Sequence, residues 1–235
     1  MLLKGPDLLV PLAAVVCGFR ERPVAVCGDL KQMFHQFRIR QPDTQCQRFL
    51  YREHPSHPVK TFVMDVGSFG ATCSPCQAQY IKNLNAKEHE AAFPRAATAI
   101  LNKHYVDDYL DSFDSEEEAI RIALEVKEVH AKGEFEIRNW HSSSNGVLEQ
   151  VGQPNRSKAR SISVDAQSEA EIILGLLWRP QEDVLAFASQ LQLDEIPVTK
   201  RNILRCVMSL FDSQGLLSHI TIQGRMIIAM RIPVG

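Results

Sequence analysis

The sequence predicts an α+β fold, an antiparallel sheet backed by helices, and three observations carry that expectation. Val24-Ala25-Val26-Cys27-Gly28-Asp29-Leu30 has the length and apolar content of a buried strand and closes on a carboxylate. In Tyr105-Val106-Asp107-Asp108 the two carboxylates stand between two β-prone runs, Lys103 to Val106 and Tyr109 to Phe113, so the segment reads as a hairpin with adjacent aspartates at its tip. Two further segments carry helix-start chemistry, one before that hairpin and one after it. A strand and a hairpin paired in one antiparallel sheet would bring Asp29 beside Asp107.

The elements follow in order. Leu8 to Phe19 is apolar, with one lysine before it and Pro11 inside it. It faintly resembles a signal peptide, but no small-residue cleavage site follows, and it reads as a buried helix. Gln47 to Arg52 and Thr61 to Met64 read as short strands. At Ser74 a helix is expected, with Ser74 as the N-cap, Pro75 at the first helical position and Gln77 closing a capping box. Ala78, Ile81 and Leu84 would lie on its apolar face.

The helix after the hairpin is the best specified. Ser115 and Glu118 form a capping box, and Glu116 and Glu117 suit the positive helix end. Ala119, Ile122, Ala123, Val126 and Val129 recur at helical spacing, and Gly133 terminates the run. Phe135 to Arg138 alternates like an edge strand. His141 to Ala170 is polar and rich in Ser, Gly and Gln, and is expected as a long mobile loop. A second hairpin is expected over Ile172 to Trp178 and Val184 to Phe187. From Thr199 an amphipathic helix carries Ile203, Leu204, Val207, Met208 and Phe211, and Ile220 to Ile232 forms a last apolar segment.

Composition bounds the function. At 235 residues the chain can bury a full core, as one domain or one plus a small appendage. The net charge is −2, whereas a protein that grips a phosphate backbone by itself is usually basic, so any nucleic-acid role must rest on local basic surface. Lys200, Arg201, Arg205, Arg225 and Arg231 read equally as a solvated helix face or as backbone contacts. No stretch is long and apolar enough to span a membrane, so no membrane partner is expected. The six cysteines lie mostly in apolar surroundings, which suggests buried thiols in a reducing compartment. Cys73 and Cys76 are spaced as half of a zinc ligand set, and packing is the better reading.

Two like charges at a hairpin tip repel, and a divalent cation is the usual remedy, although Asp also favours tight turns for their own sake. Two carboxylates can hold two divalent ions about 3.5–4 Å apart, which clamps both oxygens of an in-line phosphoryl displacement. Oxygen donors favour Mg²⁺, with Mn²⁺ as a substitute.

These residues carry a resemblance. Asp29 to Gln36 (DLKQMFHQ) resembles motif A of reverse transcriptases, in the form found in Bel/Pao-type LTR retrotransposons. Gly5-Pro6-Asp7-Leu8 and Arg48-Phe49-Leu50-Tyr51-Arg52 flank it as in that family. Phe69 to Pro75 is similar to motif B, and Tyr105 to Asp108 to motif C. Phe135 to Trp140, Leu174 to Trp178, and Thr199-Lys200-Arg201 with Phe211-Asp212 through Ser218 resemble the later segments, in the same order along nearly the whole chain.

The resemblance implies a reverse-transcriptase palm over residues 1–170 with a remnant of the fingers, a primer-supporting hairpin region over 171–198 and a partial helical thumb over 199–235. It implies an RNA-directed DNA polymerase that binds RNA or DNA template–primer and dNTPs and uses Mg²⁺. Other parts of a retrotransposon polyprotein would be partners, and the compartment would be the cytoplasm, in virus-like particles. Asp29 and Asp107 would be the metal-binding catalytic pair, with Asp108 in a supporting role. The Leu30 carbonyl would reach the nucleotide-side metal. Phe34 would be the steric gate against a ribose 2′-hydroxyl, and Gly70 would lie under the incoming nucleotide. Leu176 and Trp178 would support the primer end. On their own chemistry Phe34 and Trp178 are more often core aromatics; position after Asp29 favours the gate for Phe34, and Trp178 is left open between the two readings.

The sequence also departs from the family pattern. Ser213-Gln214 replaces Pro-Leu after Phe211-Asp212, His219 replaces a proline, Glu134 replaces a glycine and Asn139 replaces a common lysine. The fingers strands that precede motif A in the family are not in this sequence, and near-background extension is expected of the chain alone. A non-catalytic remnant, or a co-opted binding protein on the palm fold, is the alternative expectation.

Overall fold

The computed structural model describes residues 2–152, 171–187, 197, 199–210, 212 and 214–229, and the chain divides into two units, Met1–Asn155 and Arg156–Gly235. In the first, α1 (Leu12–Phe19) leads into β1 (Val24–Leu30), a 3-10 turn (Met33–His35) and the short α2 (Gln41–Thr44). A two-stranded sheet of β2 (Arg48–Tyr51) and β3 (Lys60–Val63) follows, then α3 (Ser74–Glu88) and α4 (Pro94–Asn102). The strands β4 (His104–Tyr105) and β5 (Asp108–Phe113), the long α5 (Glu116–Lys132), β6 (Ile137–Ser142) and α6 (Asn145–Val151) complete it. The main sheet is antiparallel in the order β4-β5-β1-β6.

β1 is central, and its residues Ala25, Val26 and Cys27 are all buried, which is why it reads as an unbroken apolar run. α5 packs on β1 and β5, and α1 packs on β5. The five expected core residues of α5 are fully buried, and the Ser115 hydroxyl accepts from the Glu118 amide at 3.2 Å. The expected Leu8 to Phe19 helix is shorter, beginning after Pro11, and only part of it is buried. Phe135 to Arg138 is corrected to β6, which runs to Ser142 and is an edge strand as expected.

α3 departs most from expectation. Its N-cap is Cys73, and no side chain caps it. The Ser74 hydroxyl instead donates to the Ser68 carbonyl at 2.5 Å. Ala78 is buried, but Leu84 is 42% exposed, and the buried face carries Gln79, Lys82 and Asn85. Each of these polar side chains donates to a backbone carbonyl: Gln79 to Val106, Lys82 to Ile100 and Asn85 to Val129. Polar groups survive inside because those bonds offset their desolvation. Asn85 also explains Gly133, whose φ is negative: a Cβ there would come within 2.6 Å of the Asn85 side chain. α4 was not anticipated, although Pro94 at its start and the buried Ala96, Ala97 and Ile100 are helix signals.

The expected loop from His141 is also corrected: His141 and Ser142 belong to β6, α6 follows with Ser144 as its cap, and 153–170 lie outside the described residues. No disulfide joins the six cysteines, and only Cys27 is buried, against the expectation of mostly buried thiols.

In the second unit, β7 (Glu171–Ile173), β8 (Leu176–Arg179) and β9 (Val184–Phe187) form a three-stranded antiparallel meander. The single strand expected over Ile172 to Trp178 is therefore two strands, because Leu174 and Gly175 both take positive φ and reverse the chain. α7 (Lys200–Ser209) is capped by Thr199, which accepts from the Asn202 amide. α8 (Ser218–Ala229) follows a turn in which the Asp212 carboxylate accepts from the Leu216 and Leu217 amides. Phe211 and residues 230–235 lie outside the described residues. Among the described residues no helix is long and apolar enough to cross a membrane.

Candidate active site

The end of β1, the β4–β5 turn and the start of β5 bring Asp29, Asp107 and Asp108 to neighbouring positions. Asp29, the penultimate residue of β1, stands directly opposite Asp108, the first residue of β5. Directly opposed residues of an antiparallel pair share a face, so the two carboxylates are cross-strand neighbours of like charge. Asp107 lies in the two-residue turn between β4 and β5, and its carbonyl accepts from the Leu30 amide at 2.8 Å, which ties the tip to the end of β1. The two aspartates are thus not both at the tip: Asp107 occupies the turn and Asp108 is a strand residue.

The turn is strained. Val106 takes φ +57°, a conformation that costs a β-branched residue about 1–3 kcal/mol. α3 holds it there: buried Gln79 donates to the Val106 carbonyl at 3.1 Å. A rigid, strained turn fixes Asp107 relative to β1.

The electrostatics follow from this placement. Burial pushes the Asp108 carboxyl up to about 7, and the charges of Asp107 and Asp29 push in the same direction. Burial also raises Asp107, a hydrogen bond from its own backbone opposes that, and Asp29 adds to the rise. Asp29 is partnered differently. Asn139 Nδ2 donates to Asp29 Oδ1 at 2.5 Å, and Arg138 Nε approaches Oδ2 at 3.4 Å. Both come from an irregularity in β6, where the register against β1 slips between Cys27 and Asp29 and Asn139 takes φ +50°. The bulge re-aims Asn139 at Asp29.

Mg²⁺ binds through one or two carboxylates, with waters and substrate phosphates supplying the rest of its octahedron. Asp29 and Asp107 carry hard oxygen donors of that kind, and Asp108 beside them has its ionisation suppressed. Among the described residues no group of three or more His, Cys, Asp or Glu side chains is gathered to hold a metal.

Phe34 sits in the 3-10 turn after β1, buried in the core cluster, with its ring centroid 4.7 Å from that of the exposed Phe69. Gly70 follows at φ +85°, and a Cβ there would meet open space, so the backbone conformation is what requires glycine. Leu176 and Trp178 are buried in β8 of the second unit, where Trp178 Nε1 donates to Asp183 Oδ1 at 3.2 Å.

Sequence reasoning missed Gln79, Arg138 and the role of Asn139. Gln79 carried no signal, since a glutamine on a helix is ordinary. Asn139 was visible only as a departure from the family pattern. A second missed feature lies behind the hairpin. His104 of β4 and His130 of α5 are fully buried with their Nε2 atoms 3.1 Å apart, and neither Nδ1 has a partner among the described residues. Burial depresses both, with the charge of Lys82 acting the same way, and holds His130 at about 3. Lys82 itself is lowered by burial to about 7.

No protein-family profile matches this chain, and no curated protein does. Among solved structures it is similar to a foamy viral protease–reverse transcriptase in complex with an RNA/DNA hybrid, with a TM-score of 0.58 and 12% identity. That likeness covers 96% of this chain and 26% of the viral one, so the chain spans about a quarter of the length of that protein. The mixed α/β architecture with antiparallel sheets is therefore a fold of reverse-transcriptase type.

Proposed function

We propose that this chain is the palm-bearing module of an RNA-directed DNA polymerase from a Bel/Pao-type retrotransposon polyprotein, and that Asp29, Asp107 and Asp108 form its nucleotidyl-transfer site. The observation that carries the proposal is the juxtaposition of Asp29 with Asp108 across β1 and β5, with Asp107 tied to Leu30 at 2.8 Å, in a fold of reverse-transcriptase type. In this reading residues 1–170 form the palm with a remnant of the fingers, 171–198 the primer-supporting region around Leu176 and Trp178, and 199–235 a partial thumb. The substrates are dNTPs and an RNA or DNA template–primer, and the setting is the cytoplasm.

Asp29 and Asp107 would hold Mg²⁺, which supplies Lewis acidity to the primer 3′-hydroxyl and the triphosphate. The 3′-oxygen bonds to the α-phosphorus as the bond to the pyrophosphate oxygen breaks, and the hydroxyl proton passes to solvent. Asp108 shapes the field at Asp107 by like-charge repulsion. Asn139 and Arg138 hold the Asp29 carboxylate in place.

The same ion pair on Asp29 also supports a second reading, a binding protein on a retired palm, because a carboxylate already neutralised by Arg138 needs no cation. Mn²⁺ titration followed by electron paramagnetic resonance separates the two. Asp29→Asn or Asp107→Asn should each weaken Mn²⁺ binding on the order of 10- to 100-fold, as expected for losing one charged contact. Asp114→Asn, which removes a surface partner of Arg22, should not. Equal binding by all the variants would remove the site.

Phe34 gives a separate expectation. If it closes the space beside the sugar 2′ carbon, Phe34→Val raises ribonucleotide incorporation relative to deoxyribonucleotide in primer extension by the chain fused behind a fingers segment from a related element. An unchanged ratio with lowered thermal stability would assign Phe34 to core packing, in keeping with its place in the core cluster.

A further inference from the structure

The hairpin of β2 and β3 is the one sheet of the first unit whose strands pair only with each other. All eight of its strand residues are exposed. The register is Arg48↔Val63, Phe49↔Phe62, Leu50↔Thr61 and Tyr51↔Lys60. Opposed residues share a face and faces alternate along a strand, so Phe49, Tyr51, Lys60 and Phe62 lie together on one side. Their rings form a row: Phe49 stacks on Phe62 at 5.7 Å with 24° between planes, and Tyr51 meets Phe62 edge-on at 6.0 Å. Phe49, Tyr51 and Phe62 remain 43%, 51% and 42% exposed.

Isolated two-stranded sheets are marginal in water, and three exposed aromatics on one of them form a surface that a partner covers. The charge around the row says which partner. Arg52 and Lys60 stand beside the row with the single acid Glu53, while Arg48 lies on the opposite face and donates to Gln45, and the whole chain is at −2. Beside the row, Tyr51, Arg52, Glu53, His57, Lys60 and Phe62, with Pro58, line a cleft of about 150 Å³ in which two cations face one acid. Aromatic faces with cations at their rim suit unpaired bases, which stack while the cations take the phosphates. A duplex offers no free base faces to such a row.

We infer that the Phe49–Tyr51–Phe62 face of the β2–β3 hairpin binds single-stranded nucleic acid, by base stacking with phosphate contacts from Lys60 and Arg52. The surface uses none of the three aspartates, and it works without a metal ion.

Fluorescence anisotropy of a labelled twelve-nucleotide oligothymidylate, titrated with the full chain in EDTA, tests this. Tyr51→Ala and Phe62→Ala should each weaken binding about 10-fold, within the range for loss of one base–aromatic stack. Lys60→Gln and Arg52→Gln, which leave the aromatic row intact, should each reduce the salt dependence by about one phosphate contact. Tyr80→Ala, which removes an aromatic 58% exposed on α3, should change nothing. Weaker binding of a blunt duplex of the same length is expected. The inference is overturned by a parent chain that does not bind, by affinity and salt slope indifferent to all four hairpin substitutions, or by a duplex preference. It is also overturned by a concentration-dependent dimer that Phe62→Ala dissolves, which would assign the face to a second copy of the chain. Because the assay excludes metal, failure here leaves the carboxylate site untouched, and loss of Mn²⁺ binding at Asp107 leaves this surface untouched.

Discussion

Asp107→Asn is expected to abolish primer extension, lowering the rate on the order of 10²–10³-fold or more, the size of effect found when one preorganised electrostatic group is removed from a reacting centre. The expectation rests on how completely this residue is fixed. Its carbonyl is bonded to Leu30, its neighbour Val106 is held in a left-handed conformation, and Gln79 locks that turn from α3. An asparagine fits the same backbone and keeps one oxygen, so the fold should survive and the loss should be chemical. The measurement is single-nucleotide extension of an annealed RNA template and DNA primer with Mn²⁺ by the chain fused behind a fingers segment from a related element, because the chain alone is expected to extend only at background. Retained extension in the variant would remove Asp107 from the mechanism. A fingers-fused parent no faster than its Asp107→Asn variant would remove the polymerase reading and leave the binding one.

The second large effect is on stability, and two opposing titrations make it. The Asp108 carboxyl is raised to about 7 in the fold, so the unfolded chain gives up its proton first. Its contribution is fullest below the unfolded value near 4 and is lost as pH rises through about 7. His130, lowered to about 3, behaves in reverse: the unfolded chain takes up its proton first. Its contribution is full above about 6.5 and is lost as pH falls toward 3, and His104 shifts in the same direction.

The parent therefore hides two steep dependences behind a shallow one. Asp108→Asn removes one side of the balance. At pH 8, where the cost of the buried charge is complete, from desolvation first and from Asp107 and Asp29 second, the variant should be more stable than the parent by about 2 kcal/mol, roughly half the unscreened linkage value. On acidification it should lose stability faster than the parent, because His130 alone costs about 3 kcal/mol between pH 6.5 and 4. Thermal melts from pH 4 to 8 check both limbs. Replacing the imidazole pair together, as His104→Phe with His130→Leu, should flatten the acid limb. A variant destabilised at pH 8 would show that Asp108 is compensated by contacts stronger than the cost of its buried charge.

Much of this was legible in the sequence, and the legible parts share a cause. β1 and α5 were placed within a residue because their signals are local: an unbroken apolar run, a Ser–Glu capping box, and a 3.6-residue repeat of Ala119, Ile122, Ala123, Val126 and Val129. The β4–β5 hairpin was legible because two β-prone runs flank a tight turn. α3 was legible only in outline. Its start was marked by Pro75, but its buried face is polar and satisfied by distant carbonyls of Val106, Ile100 and Val129, which no local pattern encodes. β7 and β8 merged into one strand because Leu174 gives no sign that it will adopt positive φ.

The same division runs through the candidate site. The chain by itself determined that Asp29 closes a buried strand and that Asp107 and Asp108 accompany a hairpin, because strand patterning and turn composition are properties of neighbouring residues. Only the tertiary structure decided that Asp29 faces Asp108, that Asp107 hangs from Leu30, and that Arg138 and Asn139 reach Asp29 through a bulge in β6. It also decided that Lys82, His104 and His130 lie together out of water behind the hairpin. The physical reason is that register, burial and charge coupling belong to pairs of residues brought together across 79 or more positions in the case of Asp29 and Asp108, and a periodic pattern in one segment carries no information about the segment that will pair with it.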